Sequence, residues 1–263
     1  FLNTASDKLN EFVFIGGGFI GSELSAALNM KGKKVTLVFP DRLLLQKVLP
    51  TDLAEYVTEY YSAKGITVLA GSLPTSIDRV GDRIQITTKN GKLVSAEMVV
   101  AAIGLNLNID IAAKAGLKIE NGIDVNNLLQ SSNPNIFAAG DVAYFPAKSL
   151  DKKMRVEHWN NAQAQGKNAG ENMAGAGKPY DYLPYFYSDL FDLGFEAVGN
   201  LDSRMETFAD WKEKYREGVV YYLDAGKVKG VLLWNVWDKV DAARELIDQM
   251  KTYTDPRELG KKL

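Results

Sequence analysis

The sequence contains no cysteine, a single histidine and no long apolar stretch. Without cysteine, these 263 residues cannot form a disulfide, a thiolate metal site or a redox-active dithiol. A membrane-spanning helix needs about 18 consecutive apolar residues, so none is expected. The opening FLNTASDKLNEF also lacks the basic and apolar regions of a secretory signal. It is typical of the end of a linker helix, so we expect the chain to begin inside a larger protein.

An excess of charge of either sign is also missing. The chain has 31 basic and 33 acidic residues, a net charge of −2, with the two signs interspersed. Because nucleic-acid binding usually needs a basic excess or stripe, nucleic acid is not a favoured partner. A hydrophobic share of 46% with 24% charged residues is typical of a packed globular chain.

The first hundred residues alternate between strand and helix patterns. Short apolar strands are predicted at 11–15 and 34–39, with a helix at 19–30 between them. A helix over 51–64 and a strand over 66–70 follow. This alternation predicts an α/β fold with a parallel sheet covered by helices, a Rossmann-like arrangement.

The remainder of the chain has shorter and more aromatic elements. Three short strands with turns at Gly81-Asp82 and Asn90-Gly91 are predicted up to residue 102. Further elements are predicted as a helix over 157–174, strands over 218–223 and 229–236, and a helix over 239–250. Trp234 and Trp237 are interpreted as core residues.

A glycine-rich turn lies between the first strand and the first long helix. It matches G-x-G-x-x-G, in which the first glycine permits a tight turn, the second admits a pyrophosphate and the third allows close helix packing. Backbone N–H groups and the helix dipole can then hold the phosphates. The predicted NAD-binding residues of this turn are Gly16, Gly17, Gly18, Phe19, Ile20 and Gly21.

The residues after the second strand bear on the choice of nucleotide. Asp41 stands about 20 residues beyond the glycines, where an acid can accept a hydrogen bond from the ribose 2′-hydroxyl of NAD. Arg42 and Lys47 are close enough in sequence to attract the 2′-phosphate of NADP instead. NAD is favoured, with Asp41 and Lys47 as binding residues, and the alternative is that Asp41 only closes a turn.

Several further strings occur in a fixed order along the chain: GGGFIGSEL, VFPD, AAIG, NIFAAGD, RVEHWNNAQAQGKNAGENMAG and VVYYL…VKGVLLWN. Together they resemble the FAD-dependent pyridine nucleotide oxidoreductases, and the last two resemble apoptosis-inducing factor and its relatives most. The resemblance implies an NAD domain at 1–109, the second segment of an FAD domain at 110–184 and a C-terminal domain at 185–263. The family's first FAD segment, with its own glycine motif and active-site lysine, is not in this sequence.

The resemblance also implies a set of flavin-binding residues. Asp141 in NIFAAGD would accept hydrogen bonds from the ribityl chain, although an aspartate that merely closes a turn is the alternative. The expected helix start at 157 would direct its dipole toward a reduced flavin. The FAD-binding residues implied are Gly140, Asp141, Glu157, His158 and Trp159.

Residues near the nicotinamide follow from the same resemblance. Glu23, expected on the first turn of the first long helix, would lie beside the nicotinamide, and Gly104 of AAIG would contact NAD. Tyr187 stands where the family often has tryptophan, and Glu196 would lie near the flavin. Tyr187 and Glu196 are therefore the predicted catalytic residues.

Taken with the motifs, the resemblance predicts hydride transfer from NADH to FAD and on to an unidentified acceptor, with the chain acting as a homodimer or with a complementing N-terminal FAD segment. The location would be mitochondrial if the resemblance holds and cytoplasmic otherwise. One alternative is a reductase that delivers electrons to a ferredoxin. The other is a non-enzymatic signalling or assembly factor that responds to NADH.

Overall fold

The computed structural model of the chain describes residues 2–263 and divides into two compact units. The first unit contains the described residues up to Gly104 together with two later segments, Ser188–Gly194 and Asp202–Arg204. The second unit contains Leu105–Tyr187, Phe195–Leu201 and Met205–Leu263. We call Ser188–Gly194 the hairpin tip.

The first unit begins with a helix and then alternates strands and helices. Its elements are α1 (Leu2–Lys8), β1 (Glu11–Ile15), α2 (Phe19–Met30), β2 (Lys34–Val38), α3 (Thr51–Ala63), β3 (Thr67–Leu69), β4 (Pro74–Val80), β5 (Arg83–Thr88), β6 (Leu93–Ala96) and β7 (Met98–Ala101).

Strands β3, β2, β1 and β7 form a parallel sheet in that order. The residues of β1 from Phe12 to Ile15 are all buried, as expected for a parallel strand covered on both faces. Strands β4, β5 and β6 form a separate antiparallel sheet with the two predicted turns between them. The α/β prediction for this part is confirmed.

The second unit is built from shorter strands and two longer helices. Its elements are α4 (Asp110–Lys114), β8 (Ile119–Glu120), β9 (Gly122–Asp124), β10 (Ala143–Ala147), β11 (Lys152–Met154), α5 (Trp159–Met173), β12 (Tyr185–Leu190), β13 (Leu193–Gly199), β14 (Glu206–Glu213), β15 (Glu217–Asp224), β16 (Lys227–Trp234) and α6 (Val240–Asp248). The last residues of β12 and the first residues of β13 lie in the hairpin tip and therefore belong to the first unit.

Two sheets organise these strands. One sheet has the order β11-β10-β9-β8. The other has the order β12-β13-β16-β15-β14, and its strands β13, β16, β15 and β14 pair antiparallel with their neighbours. Buried residues such as Phe145, Tyr221, Leu233 and Ile247 form the core.

Two expectations need correction. The fifth helix begins at Trp159 and not at residue 157, because the backbone at His158 is still extended, with φ −122° and ψ 137°. Trp234 is fully buried, as predicted. Trp237 is 47% exposed because it follows the end of β16, so it is not a core residue.

Within residues 2–263, no helix is both long and apolar enough to cross a membrane. The same residues contain no cluster of acidic and histidine side chains that could hold a metal ion.

Candidate functional site

The glycine turn between β1 and α2 is restricted by backbone atoms. Gly16 has φ +120°, and a Cβ there would lie 2.1 Å from the carbonyl oxygen of Ala102. A Cβ at Gly21 would lie 2.1 Å from the carbonyl oxygen of Gly16. Since backbone atoms cannot move aside as a flexible side chain can, both positions require glycine.

Gly17 and Gly18 differ in the space around them. A Cβ at Gly17 would lie 2.8 Å from the ring of Phe39, whereas a Cβ at Gly18 would meet no atom within 4 Å. Gly18 is the residue that precedes the first turn of α2, and Ile20 in that turn is 64% exposed. The helix N-terminus is therefore open at Gly18, with the positive end of the dipole accessible to an anion such as a pyrophosphate.

Phe19 and Gly104 complete the predicted nucleotide residues of this region. Phe19 begins α2 and is exposed at only an intermediate level. Gly104 follows β7 and is exposed, with no atom within 4 Å of an added Cβ. Both lie at the carboxyl end of the parallel sheet, the edge at which nucleotides bind in folds of this kind.

The loop after β2 presents one acid and two bases. The carbonyl oxygen of Asp41 accepts a hydrogen bond of 2.9 Å from the N–H of Gly71, which anchors the loop. The side chains of Arg42 and Lys47 are exposed, and none of these three charged residues forms an ion pair in the described part of the chain. The loop therefore keeps both a 2′-hydroxyl partner and a potential 2′-phosphate partner available.

Glu23 lies on the second turn of α2 and not on the first, because the helix begins at Phe19. Its Oε1 accepts a hydrogen bond of 2.6 Å from the Oγ of Ser188. Partial burial raises the pKa of the Glu23 carboxyl, the Ser188 hydrogen bond opposes the shift, and the charge of Asp189 adds to it. Ser188 is not predicted from the sequence, since no local pattern connects it to Glu23, 165 residues earlier.

In the second unit, a short 3₁₀ turn at Gly140–Val142 carries the predicted flavin residues. Gly140 has φ +78° and donates its N–H to Oε1 of Gln165 at 2.8 Å. Nη1 of Arg155 donates to the carbonyl oxygen of Asp141 at 3.2 Å. The Asp141 residue itself is exposed. Two side chains thus hold the turn through its backbone and leave the carboxylate accessible.

Gln165 and Arg155 each keep a buried donor without a partner. These atoms are Nε2 of Gln165, in a residue with no exposed surface, and Nε of Arg155. Buried donors of this kind are rare and fit a polar ligand near the turn. Both residues lie inside the quoted RVEHWNNAQAQG string, but spacing alone did not distinguish them from ordinary helix residues.

The surroundings of the three remaining predicted flavin residues differ: they are Glu157, His158 and Trp159. Glu157 pairs with Arg155 at 2.6 Å. The His158 ring stacks on Phe186 with 4.1 Å between ring centroids. Burial lowers the pKa of His158, against the opposing charges of Glu157 and Asp141, and favours the neutral imidazole. Trp159 opens α5 and is 75% exposed.

The two predicted catalytic residues lie on neighbouring strands of the five-stranded sheet. Tyr187 on β12 is 64% exposed. Glu196 on β13 is half-buried, and its Oε2 is buried without a hydrogen-bond partner. Burial raises the pKa of Glu196, and the charge of Asp238 adds to the shift.

Comparison with known proteins shows the family. Residues 2–166 match the family described as "Pyridine nucleotide-disulphide oxidoreductase". The chain belongs to this family. Residues 169–213 and 209–249 match the domain described as "Apoptosis-inducing factor, mitochondrion-associated, C-term", so the resemblance to apoptosis-inducing factor is confirmed. Members of the family bind FAD and NAD(H), the two cofactors predicted from the sequence.

Individual relatives are similar over most of the chain. "Apoptosis-inducing factor 1, mitochondrial" of Dictyostelium discoideum is 37% identical over 265 residues, which cover 93% of this chain and 50% of that protein. "Monodehydroascorbate reductase 2, peroxisomal" of Oryza sativa subsp. japonica is 34% identical, over 84% of this chain and 48% of that protein.

Among solved structures, the ferredoxin reductase for the CYP199A2 system of Rhodopseudomonas palustris has a TM-score of 0.88 and 30% identity, and covers 96% of this chain and 63% of that one. The chain spans about half the length of the curated relatives it matches.

Proposed function

We propose that this chain is part of an FAD-dependent NADH oxidoreductase related to apoptosis-inducing factor, with its first unit binding NADH. The observation that carries the proposal is the open space at Gly18, at the N-terminus of α2, beside glycines that admit no side chain. Such a turn leaves backbone N–H groups and the helix dipole available to a pyrophosphate.

Each remaining residue of the nucleotide site has a proposed role. Asp41 accepts a hydrogen bond from the adenine ribose, and the exposed Lys47 lies close enough in sequence to contact a phosphate. Gly104 allows the cofactor to approach the end of β7. Glu23 binds at the nicotinamide, where its half-buried carboxylate can accept a hydrogen bond from the carboxamide.

For the second unit we propose the flavin half-site. The Gly140–Val142 turn presents Asp141 to the ribityl hydroxyls, and the unpartnered donors of Gln165 and Arg155 support a polar ligand there. When bound, FAD accepts a hydride from NADH and passes the electrons on. His158 remains neutral, and the exposed ring of Trp159 offers a flat apolar surface.

The proposed catalytic residues act on the charge and packing around the reacting rings. Tyr187 supplies an exposed aromatic face. Glu196 holds a proton more readily than an exposed glutamate, because burial and Asp238 disfavour its charged form. The three-part division at 1–109, 110–184 and 185–263 is proposed with these roles.

The NADH site is tested with Gly18→Glu. The new carboxylate would occupy the open space and repel the phosphates, so NADH affinity should fall by at least about a hundredfold. Gly18→Gln is the matched control, because it adds the same bulk without charge and should lose less. Calorimetric titration of each folded variant measures the effect, and unchanged affinity in Gly18→Glu would contradict the nucleotide site.

The flavin site is tested by the spectrum of the purified 263-residue chain. We propose that chain outside these residues supplies the FAD pyrophosphate loop, a proposal supported by the half-length match to the relatives. The chain alone should then elute colourless from gel filtration and turn yellow when an N-terminal FAD segment of the family is added. A yellow monomer with one tightly bound flavin would contradict this proposal. A homodimer is also proposed, and the apparent size tests it.

A ferredoxin reductase is the second candidate function. It is favoured by the similarity to the Rhodopseudomonas palustris reductase and to a putidaredoxin reductase structure, with TM-scores of 0.88 and 0.87. Reduction of a ferredoxin by the FAD-loaded full-length protein, compared with reduction of a quinone and of oxygen, separates the acceptors. Binding of NADH without any turnover would favour a signalling or assembly role instead.

We propose a mitochondrial location. Two relatives with mitochondrial names, from Dictyostelium discoideum and Drosophila melanogaster, support it. The Oryza relative named as peroxisomal supports a different compartment. Imaging of the full-length protein fused to a fluorescent tag would distinguish the two.

A further inference from the structure

The hairpin tip belongs to the first unit although it begins more than 80 residues after Gly104, where the main segment of that unit ends. Phe191 packs edge-on against the rings of Tyr60 and Tyr61, with centroids 5.9 and 5.1 Å away. Asp192 pairs with Lys64 at 3.1 Å and accepts a hydrogen bond from the hydroxyl of Tyr60. Aromatic packing and charge therefore anchor the hairpin tip near the C-terminal end of α3.

Ser188 is the residue of the hairpin tip that reaches the nucleotide-binding helix. It is only 1% exposed, and its hydroxyl donates to Oε1 of Glu23 at 2.6 Å. Hydrogen bonds to a carboxylate are shorter and stronger than those between neutral groups. The bond therefore restricts the orientation of the carboxylate.

The hydroxyl of Tyr61, which is also buried in this unit, does not bond to Glu23. Tyr61 is fully buried and donates to the carbonyl oxygen of Ser22 at 3.1 Å. In the part of the chain that the structure describes, no group other than Ser188 donates a hydrogen bond to Glu23. One carboxylate oxygen is thus held from outside the helix, and the other remains available.

We infer that Ser188 is a positioning residue that orients Glu23 toward the nicotinamide half of the cofactor. The inference rests on the proposed function, in which Glu23 binds at the nicotinamide. With Oε1 held by the serine, Oε2 can accept a hydrogen bond from the carboxamide without first losing rotational freedom. A residue of the hairpin tip then adjusts affinity for one end of NADH and leaves the pyrophosphate contacts unchanged.

The experiment compares two ligands on the 263-residue chain by calorimetric titration. NADH carries the nicotinamide, and ADP-ribose has the same adenosine and pyrophosphate but lacks the nicotinamide. Ser188→Ala should weaken NADH binding about tenfold and leave ADP-ribose binding within about twofold of the wild type. Ser188→Thr, which keeps a hydroxyl, should restore most of the NADH affinity.

Two further variants separate positioning from simple structural support. Ser25→Ala is the matched control, because Ser25 is also buried and its hydroxyl donates only to the carbonyl oxygen of Ser22, at 2.9 Å. It should leave the ratio of the two affinities unchanged. In a Glu23→Ala background, Ser188→Ala should cause no further loss of NADH affinity, because the serine acts through Glu23.

The outcomes are distinguishable. Equal weakening of both ligands by Ser188→Ala would overturn the inference and indicate a structural role, and an unchanged NADH affinity would also overturn it. Failure of the folded wild-type chain to bind either ligand would overturn the proposed nucleotide site, and this inference with it. Selective loss of NADH affinity that disappears in the Glu23→Ala background would support the positioning role.

Discussion

Gly16 in the first unit and Gly140 in the second both have a positive φ, at +120° and +78°, but their surroundings differ. At Gly16 an added Cβ would lie 2.1 Å from the carbonyl oxygen of Ala102, the residue that follows β7. At Gly140 the nearest atom is the Cβ of Ala162, at an ordinary contact distance of 3.4 Å. The first turn is therefore limited by crowding, whereas the second is limited mainly by its backbone conformation.

This difference shows which residues determine the conformation of each turn. The first turn is formed by six consecutive residues between one strand and one helix, so a short motif specifies it. The second turn depends on Arg155 and Gln165, which lie 14 and 25 residues away from the groups they hold. A site of this second kind depends on tertiary packing, and single substitutions far from the turn can disturb it.

The largest expected effect comes from placing a side chain at the crowded turn. Gly16→Ala combines a steric clash with an unfavourable φ, so we expect it to reduce the free energy of unfolding of the first unit by about 3 kcal/mol or more. Gly140→Ala adds only the conformational cost, about 1–2 kcal/mol. Urea unfolding followed by far-UV circular dichroism measures both.

The four tryptophans all lie in the second unit, so their fluorescence provides an internal control. Gly16→Ala should lower the dichroism midpoint more than the fluorescence midpoint, and Gly140→Ala should do the reverse. Gly32→Ala, at a positive φ with open space around it, should cost about 1 kcal/mol. Equal midpoints for Gly16→Ala and Gly32→Ala would contradict the role assigned to crowding.

A smaller effect is expected from removing a remote support of the second turn. Gln165→Leu fills a similar volume but leaves the N–H of Gly140 buried without an acceptor, which costs about 1–3 kcal/mol. Gln163→Leu on the same helix is the control, because Gln163 is exposed and should change the midpoint little. If the two variants have the same tryptophan-fluorescence midpoint, the second turn does not depend on Gln165.

The choice of nucleotide gives a still smaller effect at the first site. Asp41→Ala removes a partner of the ribose hydroxyl and a charge that repels a 2′-phosphate, so the preference for NADH over NADPH should narrow about tenfold. Titration of both nucleotides against wild type and variant measures the ratio. Arg42→Ala should shift the ratio in the opposite direction. An unchanged ratio in Asp41→Ala would mean that Arg42 and Lys47 dominate the ribose pocket.

These comparisons also show how far the sequence could predict the site. Strand β1, helix α2 and the two later turns follow from local periodicity and glycine placement, and the structure confirms them. The start of α5 was misplaced by two residues because nothing in the sequence shows that the backbone at His158 is extended. Contacts such as Ser188 with Glu23 and Gln165 with Gly140 join distant segments, which periodicity cannot pair.

The smallest expected effect is a pH dependence at Glu23. Its pKa is raised by burial, so the folded chain holds this proton more tightly than the unfolded chain does. The contribution of Glu23 to the free energy of unfolding therefore falls as pH rises from its ordinary pKa, near 4.5, through the raised value, and stays lower above it. Glu23→Gln removes this titration and still can accept the hydrogen bond from Ser188.

The Glu23→Gln variant should melt at a higher temperature than the wild type at pH 7. This difference in melting temperature should shrink toward zero as pH falls to about 4. Asp189 and Ser188 remain in both proteins, but Glu23→Gln removes the repulsion between Asp189 and the charged Glu23 carboxylate, so this repulsion is part of the expected difference. Thermal melts across this pH range measure it, with Glu55→Gln on the exposed surface of α3 as the matched control. A difference between Glu23→Gln and wild type that stays constant with pH would mean that Glu23 titrates as an exposed carboxyl does.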